Sequence, residues 1–556
     1  MFQMNTYHAL CLGLAAQAAG LAPEIIADTN RDGNLDQADH ANKGVWSAER
    51  GAIFLPNIGD KHKRCAARDG AGNPLSNDEL ASCSDASGHL LLAPELAAPL
   101  RTAPLQLSEG AVARVYGTPR AAYERTRLFY LEDGSRPNAT ESWRLVDQEL
   151  AFNSSQLAAG LTLALDGREL VEDASVWDGT VVVKFDVTDG TQHAVDSVAL
   201  KMAPVLTHHH LQRVETLLST AGNESSLSDD IWAQDFVEPA YASMPGPQGP
   251  ISIRIILRSA QSTRTAGRQV FEQLRGPGIG GYQPQSGIGQ GFGHREINSY
   301  GNLETIPPYT SKDGTRYPAG RIIMGKHFER MPAILPFLHA QGVQSPLILE
   351  TGWMVIGHVD EFVQFLPFNN SLGFTIAIAD THSALDLLRG VQKAGSGKVN
   401  AISFNGTMED GGFPVVGVNM TVDELMANET FSRVNAYSQK YIDSNLEILL
   451  RDIPWIAPID GLPSHTETTL ENEYLTASFW PASINGVVVG DHYITPRPWG
   501  PVVAGEDVFA KAVEAAYGKA GMTVSYVDDF LSHHAGFGDV HCGSNTFRQT
   551  DLAWWK

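Results

Sequence analysis

The sequence predicts a β-sandwich followed by a region that mixes strands and helices. Between about Gly51 and Val205, short β-type runs alternate with turn clusters, which is typical of a sandwich. From residue 206 to 556, strand-like and helix-like segments alternate, which indicates an α/β or α+β fold. The 53 glycines and 30 prolines in the 556 residues favour many turns and short strands over a helical bundle.

The first region contains six runs that we predict to be strands. They are residues 52–55, 90–94, 127–130, 161–165, 181–187 and 197–205. Turn residues at 132–134 and 188–190 separate them.

The second region contains four predicted strands and two predicted helices. The strands are residues 251–257, 346–350, 374–379 and 486–490. The helices are residues 434–451 and 507–520, where apolar residues recur at helical spacing. We expect the chain to divide into residues 23–205 and 206–556, after an N-terminal leader.

The charge balance restricts the possible partners. Lys+Arg number 40 against 63 Asp+Glu, which gives a formal net charge of −23. This field repels phosphate backbones, so we expect no nucleic-acid partner, and it suits cationic substrates and divalent ions. No apolar run after the N-terminus reaches membrane-spanning length, so we expect no membrane partner.

The N-terminus has the pattern of a secretory signal peptide. Residues 9–22 are apolar with small residues near their end, although residues 1–8 lack Lys and Arg. The alternative is a buried or frayed helix. We predict a signal peptide over residues 1–22 and a secreted, extracellular protein.

Sequons and cysteines agree with export. Seven Asn-x-Ser/Thr sequons indicate a glycoprotein, and they begin at Asn138, Asn153, Asn223, Asn369, Asn405, Asn419 and Asn428. Cys11 would leave with the signal peptide, and Cys65 and Cys83 could form a disulfide bond. Cys542 is then unpaired, which suggests a reactive thiol.

Residues 28–39 have the spacing of a calcium loop of EF-hand type. Oxygen side chains at relative positions 1, 3, 5, 9 and 12 surround a glycine at position 6, Gly33. The alternative is a solvated acidic turn. We predict a calcium site whose ligands are Asp28, Asn30, Asp32, Asp36 and Asp39.

The triplet of residues 208–210 (HHH) has two interpretations. Histidines bind metals, but three adjacent residues cannot share one face of a strand. We therefore expect a surface feature.

Four segments carry titratable or metal-binding groups: residues 231–238 (IWAQDFVE), 299–304 (SYGNLE), 357–361 (GHVDE) and 538–545 (GDVHCGSN). Considered one at a time, the residues in these segments could all have purely structural roles. His358 and Asp360, two apart and facing the same side of a strand, could be an ion pair or core residues. Cys542 could be an inert buried thiol, and Asp235 a surface acid.

Together these segments resemble the protein-arginine deiminase family, within the guanidino-modifying superfamily. The resemblance also includes residues 28–39, 51–55 (GAIFL), 300–308 (YGNLETIPP), 352–365, 497–501 (RPWGP) and 554–555 (WW). It implies an immunoglobulin-like β-domain followed by a catalytic α/β-propeller of five ββαβ units. It further suggests a secreted, fungal-type member without the extra N-terminal β-domain of the animal enzymes.

The resemblance assigns roles to four catalytic residues. Asp235 and Asp360 would each accept paired N–H bonds from the substrate guanidinium, and Cys542 would attack its central carbon as the thiolate. His358 would protonate the departing ammonia and then deprotonate the water that hydrolyses the thiouronium intermediate. The implied reaction converts peptidyl-arginine to peptidyl-citrulline.

The resemblance also implies a calcium site near the active centre. Its ligands would be Gln234, Glu238, Glu304 and the carbonyls of Tyr300 and Leu303. A second nearby site of the animal enzymes is largely lost, since its positions fall on Phe236, Ser259, Ala260 and Thr263. We therefore expect a weaker calcium dependence of activity.

Substrate contacts are only partly retained. Trp232 matches a residue that packs on the substrate arginine, and Arg264 matches one that binds the peptide backbone. Two further family arginines are replaced by Ser262 and Gly536. Two alternatives to an enzyme acting on arginine-containing peptides or proteins thus stay open. One is a deiminase of free arginine or another small guanidine, and the other is a calcium-dependent binding protein without activity.

Overall fold

The structure is a computed structural model, and it describes residues 21–132, 136–137, 139–220, 230–284, 295–405, 419–454, 459–463 and 475–556. The fold is mixed α/β and consists mostly of sheet. Among the helices of these residues, none combines the length and apolarity that a membrane crossing requires.

Two five-stranded sheets form the first part of the molecule. Their strands are β1 (Ile25–Ala27), β2 (Ala52–Phe54), β3 (Ala98–Thr102), β4 (Val112–Thr118), β5 (Thr126–Leu131), β6 (Trp143–Leu145), β7 (Phe152–Asn153), β8 (Thr162–Gly167), β9 (Thr180–Asp189) and β10 (Gln192–Met202). The strand orders are β1-β3-β8-β5-β6 and β2-β10-β9-β4-β7. Three short helices lie between strands: α1 (Asn77–Ser82), α2 (Arg120–Arg125) and α3 (Ser154–Ala159).

Alternating side chains hold the two sheets together. In β9 every second residue is buried, as the period-2 pattern of the sequence predicts. Phe54 and Phe185 of one sheet and Leu163 of the other belong to the same hydrophobic core. A turn at Gly190, whose φ of 59° suits glycine, joins β9 to β10.

Most predicted elements of this part are confirmed, but the strand expected at residues 90–94 is wrong. Leu91 and Leu92 are buried without strand pairing, and a 3-10 turn, Pro94–Leu96, follows them. Pro94 lacks an N–H for a ladder and starts a helical turn instead. The predicted turn at 132–134 lies largely outside the described residues.

The second part contains nineteen strands among its described residues. They are β11 (Leu206–Thr207), β12 (Val214–Ser219), β13 (Val237–Met244), β14 (Ile251–Arg258), β15 (Ile279–Tyr282), β16 (Leu303–Ile306), β17 (Tyr309–Thr310), β18 (Arg316–Tyr317), β19 (Arg321–Lys326), β20 (Leu347–Glu350), β21 (Val363–Pro367), β22 (Phe374–Asp380), β23 (Ile459–Pro463), β24 (Val487–Val489), β25 (His492–Pro496), β26 (Val502–Val503), β27 (Glu506–Asp507), β28 (Thr523–Val527) and β29 (Ser544–Arg548). All four predicted strands are confirmed.

The helices of this part include both that the sequence predicts. They are α4 (Ala233–Phe236), α5 (Leu335–Gln341), α6 (Thr381–Lys393), α7 (Val422–Met426), α8 (Glu429–Asp452) and α9 (Val508–Gly518). The helix α8 begins earlier than predicted because the Asn428 side chain accepts from the N–H groups of Thr430 and Phe431. It ends before Pro454, which cannot continue it.

One strand pattern recurs four times. An antiparallel pair is followed by a parallel strand in β13-β14-β15, β16-β19-β20, β21-β22-β23 and β24-β25-β28. A two-stranded sheet of β12 and β29 joins the start of this part to the end of the chain. Short segments at the ends of these units carry the candidate site.

Strands up to β10 pair among themselves, and strands from β11 onward pair among themselves. The boundary at residues 205 and 206 stays a prediction. The loop of residues 28–39 lies against the second part, because a Cβ at Gly33 would come within 2.2 Å of Gly246. The predicted Cys65–Cys83 disulfide is confirmed, with a Cα–Cα distance of 5.6 Å.

Candidate active site

The structure brings the four predicted catalytic residues together from three separate segments. Asp235 lies in α4, His358 and Asp360 lie at the 3-10 turn Val359–Glu361, and Cys542 lies just before β29. All four are at least 94% buried. Groups more than 180 positions apart, such as Asp360 and Cys542, are thereby within 3.7 Å of each other.

His358 and Asp360 lie at a turn and not on the strand that the sequence predicts. Gly357, with a φ of 84°, turns the chain, and the Glu361 carboxylate accepts the N–H groups of Gly357 and His358. A Cβ at Gly357 would lie 2.3 Å from Nε2 of His327, so no larger residue fits. The strand prediction for this pair is wrong, although both side chains still reach the same site.

Three polar atoms converge on the space beside Gly301. A Cβ built on Gly301 would lie 2.6 Å from Nδ1 of His358, 3.1 Å from Oδ1 of Asp235 and 3.2 Å from Oδ1 of Asp360. Each of these buried atoms is without a hydrogen-bond partner among the described residues. Buried polar atoms are normally paired, so this slot has the character of a binding site for a ligand with several N–H groups.

The remaining oxygens of the two aspartates are held by the protein. The second oxygen of Asp235 accepts from Arg264 at 3.3 Å, and the second oxygen of Asp360 lies 2.7 Å from Nδ1 of His541. Each carboxylate is thus anchored on one side, while its other oxygen faces the slot. This leaves two fixed acceptors for a flat cationic group.

The electrostatics of the slot reflect burial and close carboxylates. Burial raises the pKa of Asp235, although Arg264 and His358 oppose the shift. Burial alone would lower the pKa of His358, but Asp235 and Asp360 raise it above its ordinary value. Burial, reinforced by Asp360 and Asp235, raises the pKa of the Cys542 thiol well above its usual range.

Asn485 holds the segment that carries Cys542, and sequence reasoning missed it. Its Oδ1 accepts the N–H groups of His541 and Cys542 at 3.1 and 3.2 Å. Its Nδ2 lies 3.3 Å from Sγ of Cys542 and also donates to the carbonyl of Asp360. A lone Asn in the segment between β23 and β24 gives no sequence signal, because its partners are 57 and 125 positions away.

The two predicted substrate contacts lie next to this site. Trp232 is half-buried, and its ring would come within 2.4 Å of a Cβ at Gly538, in the loop that carries Cys542. The guanidinium of Arg264 bonds to both oxygens of Asp230 and reaches Asp235, so its donors serve side chains of the protein. Its expected contact with a substrate backbone stays a prediction.

The residues predicted to bind metal behind the active centre also lie together. Gln234 donates to Glu238 at 3.1 Å and to the carbonyl of Tyr300 at 3.4 Å. Gln234, Glu238, Leu303 and Glu304 line one small cavity. Burial and the neighbouring Glu304 raise the pKa of Glu238 well above its ordinary value.

The histidine triplet is buried, so its prediction as a surface feature is wrong. Residues 208, 209 and 210 are 8%, 6% and 7% exposed. The strand β11 ends at Thr207, so the triplet does not have to alternate between two faces. His210 reaches the cavity behind the active centre, where its Nε2 lies 3.1 Å from Glu304.

The N-terminal acidic loop is closed by its first and last carboxylates. Asp28 accepts the N–H groups of Asp32 and Gly33, and Asp39 accepts those of Thr29 and Asp36. Burial, with Asp39 and Asp32 nearby, raises the pKa of Asp28 to about 6. Asn30 and Asp32 contact each other, and Asp36 caps the turn Gln37–His40.

A family model of the protein-arginine deiminases matches residues 223–556, which include all four predicted catalytic residues. Human protein-arginine deiminase type-3 is 30% identical over 470 residues, covering 80% of this chain and 66% of that protein. Human type-1 is 29% identical over 406 residues, covering 65% and 57%, and human type-4 is 30% identical over 345 residues, covering 60% and 49%. The chain thus spans about half to two thirds of the length of these relatives.

Among solved structures, the N-terminal domain of ArgZ, an arginine dihydrolase from cyanobacteria, matches with a TM-score of 0.25. The identity is 10%, and the match covers 54% of this chain and 72% of that chain. This score is too low to support a shared fold. The family model, in contrast, matches more than half of the chain, and by this match the chain belongs to the protein-arginine deiminase family.

Proposed function

We propose that this chain hydrolyses peptidyl-arginine to peptidyl-citrulline with release of ammonia. The observation that carries the proposal is the slot beside Gly301. There, an unpaired carboxylate oxygen of Asp235 and one of Asp360 point into the same space, next to the buried thiol of Cys542. A guanidinium is flat, cationic and rich in N–H groups, so it complements this slot better than any neutral group of similar size.

The reaction begins with binding between the two carboxylates. Arg264 and His541 hold the outer oxygens of Asp235 and Asp360, so the inner oxygens are fixed before the substrate arrives. The substrate then brings a positive charge next to Cys542. Because the two aspartates help to raise the pKa of the thiol, a cation between them lowers it again and favours the thiolate.

The thiolate of Cys542 adds to the guanidinium carbon, and the C–N bond to one terminal nitrogen then breaks. His358 gives that nitrogen a proton, so ammonia leaves and a thiouronium remains on sulfur. A water loses a proton to His358 and adds to the same carbon, and the C–S bond breaks to regenerate the thiolate and release citrulline. The raised pKa of His358 suits the first of these roles.

The direct test is citrulline production from a blocked arginine peptide. Wild type should be active, whereas Cys542→Ser and Asp360→Asn should be inactive. Asp386→Asn, on an exposed helix surface, is the matched control and should keep full activity. Absence of citrulline with the wild type, with or without added calcium or zinc, would refute the proposal.

The alternative substrate is free arginine or another small guanidine. Nothing in the slot discriminates between the two, because the slot contacts only the guanidinium. Comparison of kcat/KM on free arginine and on the blocked peptide separates the two readings. A clear preference for free arginine would replace peptidyl-arginine in the proposal.

We also propose calcium as a cofactor of the N-terminal loop. Asp28, Asn30, Asp32, Asp36 and Asp39 provide oxygen donors, and calcium takes 6 to 8 of these. Calcium would relieve the repulsion among these carboxylates. Asp32→Ala should abolish the increase of melting temperature that calcium gives, and an unchanged calcium response would refute the site.

The oxygen set of Gln234, Glu238, Glu304 and the carbonyls of Tyr300 and Leu303 is proposed as a second cation site. Bound there, an ion would connect α4, which carries Asp235, to β16, and would neutralise two buried carboxylates. Glu304→Ala should therefore lower activity. Three imidazoles, those of His208, His210 and His541, border the same cavity and affect which ion it prefers.

Export and the finer fold description are part of the same proposal. The apolar residues 9–22 and the sequons support a secreted glycoprotein, and digestion with a glycosidase would test it by the change in mass. Two sheets around one core support an immunoglobulin-like domain. The four repeats of an antiparallel pair followed by a parallel strand, together with the β12–β29 pair, support a five-bladed propeller, whose fifth unit this pair would belong to.

A further inference from the structure

A small cavity with mostly buried walls lies behind the loop that carries Cys542. Its volume is about 30 Å³, which is room for one water-sized body. Six of its lining side chains are potential ligands: His208, His210, Gln234, Glu238, Glu304 and His541. We refer to the core of this group, His210, Glu304 and His541, as the His–Glu cluster.

The two contacts of Glu304 within the His–Glu cluster have the spacing of neighbouring ligands of a metal ion. Nε2 of His210 lies 3.1 Å from one oxygen of Glu304, and Nε2 of His541 lies 3.4 Å from the other. The ligand atoms of all three side chains lie within 4.8 Å of one another. Ligands at about 2.0–2.2 Å from a tetrahedral zinc ion are roughly 3.3 Å apart, so an ion fits among them.

The tautomers of the two rings follow from their outer partners. Nδ1 of His541 lies 2.7 Å from a carboxylate oxygen of Asp360, and Nδ1 of His210 lies 3.3 Å from the carbonyl of Phe365. Both partners only accept, so Nδ1 carries the proton in each ring. In the neutral rings the two Nε2 lone pairs then face the Glu304 carboxylate. In the protonated rings the same contacts are ion pairs, and a bound metal ion would replace the two Nε2 protons.

Such an arrangement is the usual surrounding of metal-bound histidines. A ligating imidazole donates its other N–H to a carboxylate or a backbone carbonyl, as both rings do here. A third ring, His208, borders the same cavity, and neither of its nitrogens has a hydrogen-bond partner among the described residues. It is 8% exposed and therefore cannot turn to solvent.

The one arginine among the lining residues does not satisfy this cluster. Arg548 donates to the carbonyls of His210, Gln212 and Val488 and to the hydroxyl of Thr546. Its guanidinium therefore offsets part of the negative charge of Glu304 and Glu238 without bonding to either carboxylate. Glu304 keeps its oxygens for the imidazole side of the cavity.

We propose that the His–Glu cluster binds one divalent transition ion of the zinc class through Nε2 of His210, Nε2 of His541 and the carboxylate of Glu304. Imidazole nitrogen suits zinc, copper, nickel and iron, whereas calcium takes oxygen ligands. Glu304 is shared with the proposed oxygen set, so the two kinds of ion compete for one cavity, and the nitrogen donors favour the transition ion. Because His541 also holds Asp360, the ion would be connected to the slot beside Gly301.

Metal binding is tested on the full chain with Cys542→Ser as the parent, since this removes the thiol as a zinc ligand. The chelator-treated protein is dialysed against Zn²⁺ in a large molar excess of Ca²⁺, and bound zinc is counted by mass spectrometry. Co²⁺ in place of Zn²⁺ gives a visible absorption band that reports nitrogen and oxygen ligation. His210→Ala and Glu304→Gln remove a ligand each.

His209→Ala is the matched control, because His209 is buried beside His210 but is not part of the cavity lining. The parent and this control should bind one ion per chain. His210→Ala should weaken binding by at least about 100-fold, since loss of even an outer partner of a ligand costs about 10- to 100-fold. Circular dichroism identifies any variant that fails to fold, and Glu304→Gln then decides in place of His210→Ala.

Three results would overturn the proposal: no stoichiometric zinc or cobalt in the parent, binding unaffected by both cluster variants, or displacement of the ion by calcium. None of these measurements depends on activity. Zinc binding by the Cys542→Ser parent without citrulline from the wild type would refute the proposed reaction alone, and citrulline from the wild type without zinc binding by the parent would refute the metal site alone.

Discussion

Substitution of Gly301 by alanine tests the slot most directly. The new Cβ would lie 2.6 Å from Nδ1 of His358, 3.1 Å from Oδ1 of Asp235 and 3.2 Å from Oδ1 of Asp360. A guanidinium nitrogen bound to a carboxylate needs an N···O distance of about 2.7–2.9 Å. The methyl group therefore takes the position that a substrate nitrogen would occupy, and it offers no N–H in return.

The magnitude follows from the burial of the two aspartates. Removal of one partner from a buried charge pair costs about 3–5 kcal/mol. At about 1.4 kcal/mol per factor of ten, kcat/KM on a blocked arginine peptide should fall by about 10² to 10⁴. Overpacking of a buried site also costs about 1–3 kcal/mol of stability, so we expect a lower melting temperature but a folded protein.

The assay measures citrulline release under initial-rate conditions, together with a thermal melt of each protein. Gly390→Ala is the matched control, because Gly390 is exposed in α6 and its new Cβ would meet no atom within 4 Å. This control should keep wild-type kcat/KM and gain about 0.5–1 kcal/mol of stability. A folded Gly301→Ala enzyme with kcat/KM within about threefold of wild type would show that substrate does not bind at this slot.

Three further predictions concern the nucleophile. Cys542→Ser should abolish citrulline release without changing the melt, because a serine hydroxyl is hardly ionised at neutral pH, and substantial residual turnover would exclude the covalent route. Asn485→Ala removes the acceptor of the buried Cys542 N–H, at a cost of about 1–3 kcal/mol, whereas the N–H of His541 keeps the backbone carbonyl of residue 485; urea unfolding should therefore show a loss of stability, and an unchanged midpoint would contradict this role of Asn485. Asp235→Asn removes a negative charge that raises the pKa of Cys542. Iodoacetamide should therefore alkylate the thiol several-fold faster at neutral pH than it does in wild type. An equal or slower rate would contradict the electrostatic argument.

The sequence alone predicted the catalytic groups, because family motifs preserve them as short strings. Cys542, His358 and Asp360 each lie in a run of residues whose types and order are specific together, and the structure places them within one site. The main strands and helices were predicted for a similar reason. Periods of 2 and 3.6 residues are local properties of the chain, and β9 and α8 show them clearly.

Only the tertiary structure could show which side chains meet across long separations. Asn485 and Cys542 are 57 positions apart, and His210 and Glu304 lie on separate segments, so no local pattern predicts either contact. The buried histidine triplet was misjudged because strand alternation was applied beyond the end of β11. Local spacing determines which side chains a segment presents, but their burial and hydrogen bonding depend on how distant segments pack. At this site the packing decides which polar atoms stay without a hydrogen bond and are available to a ligand.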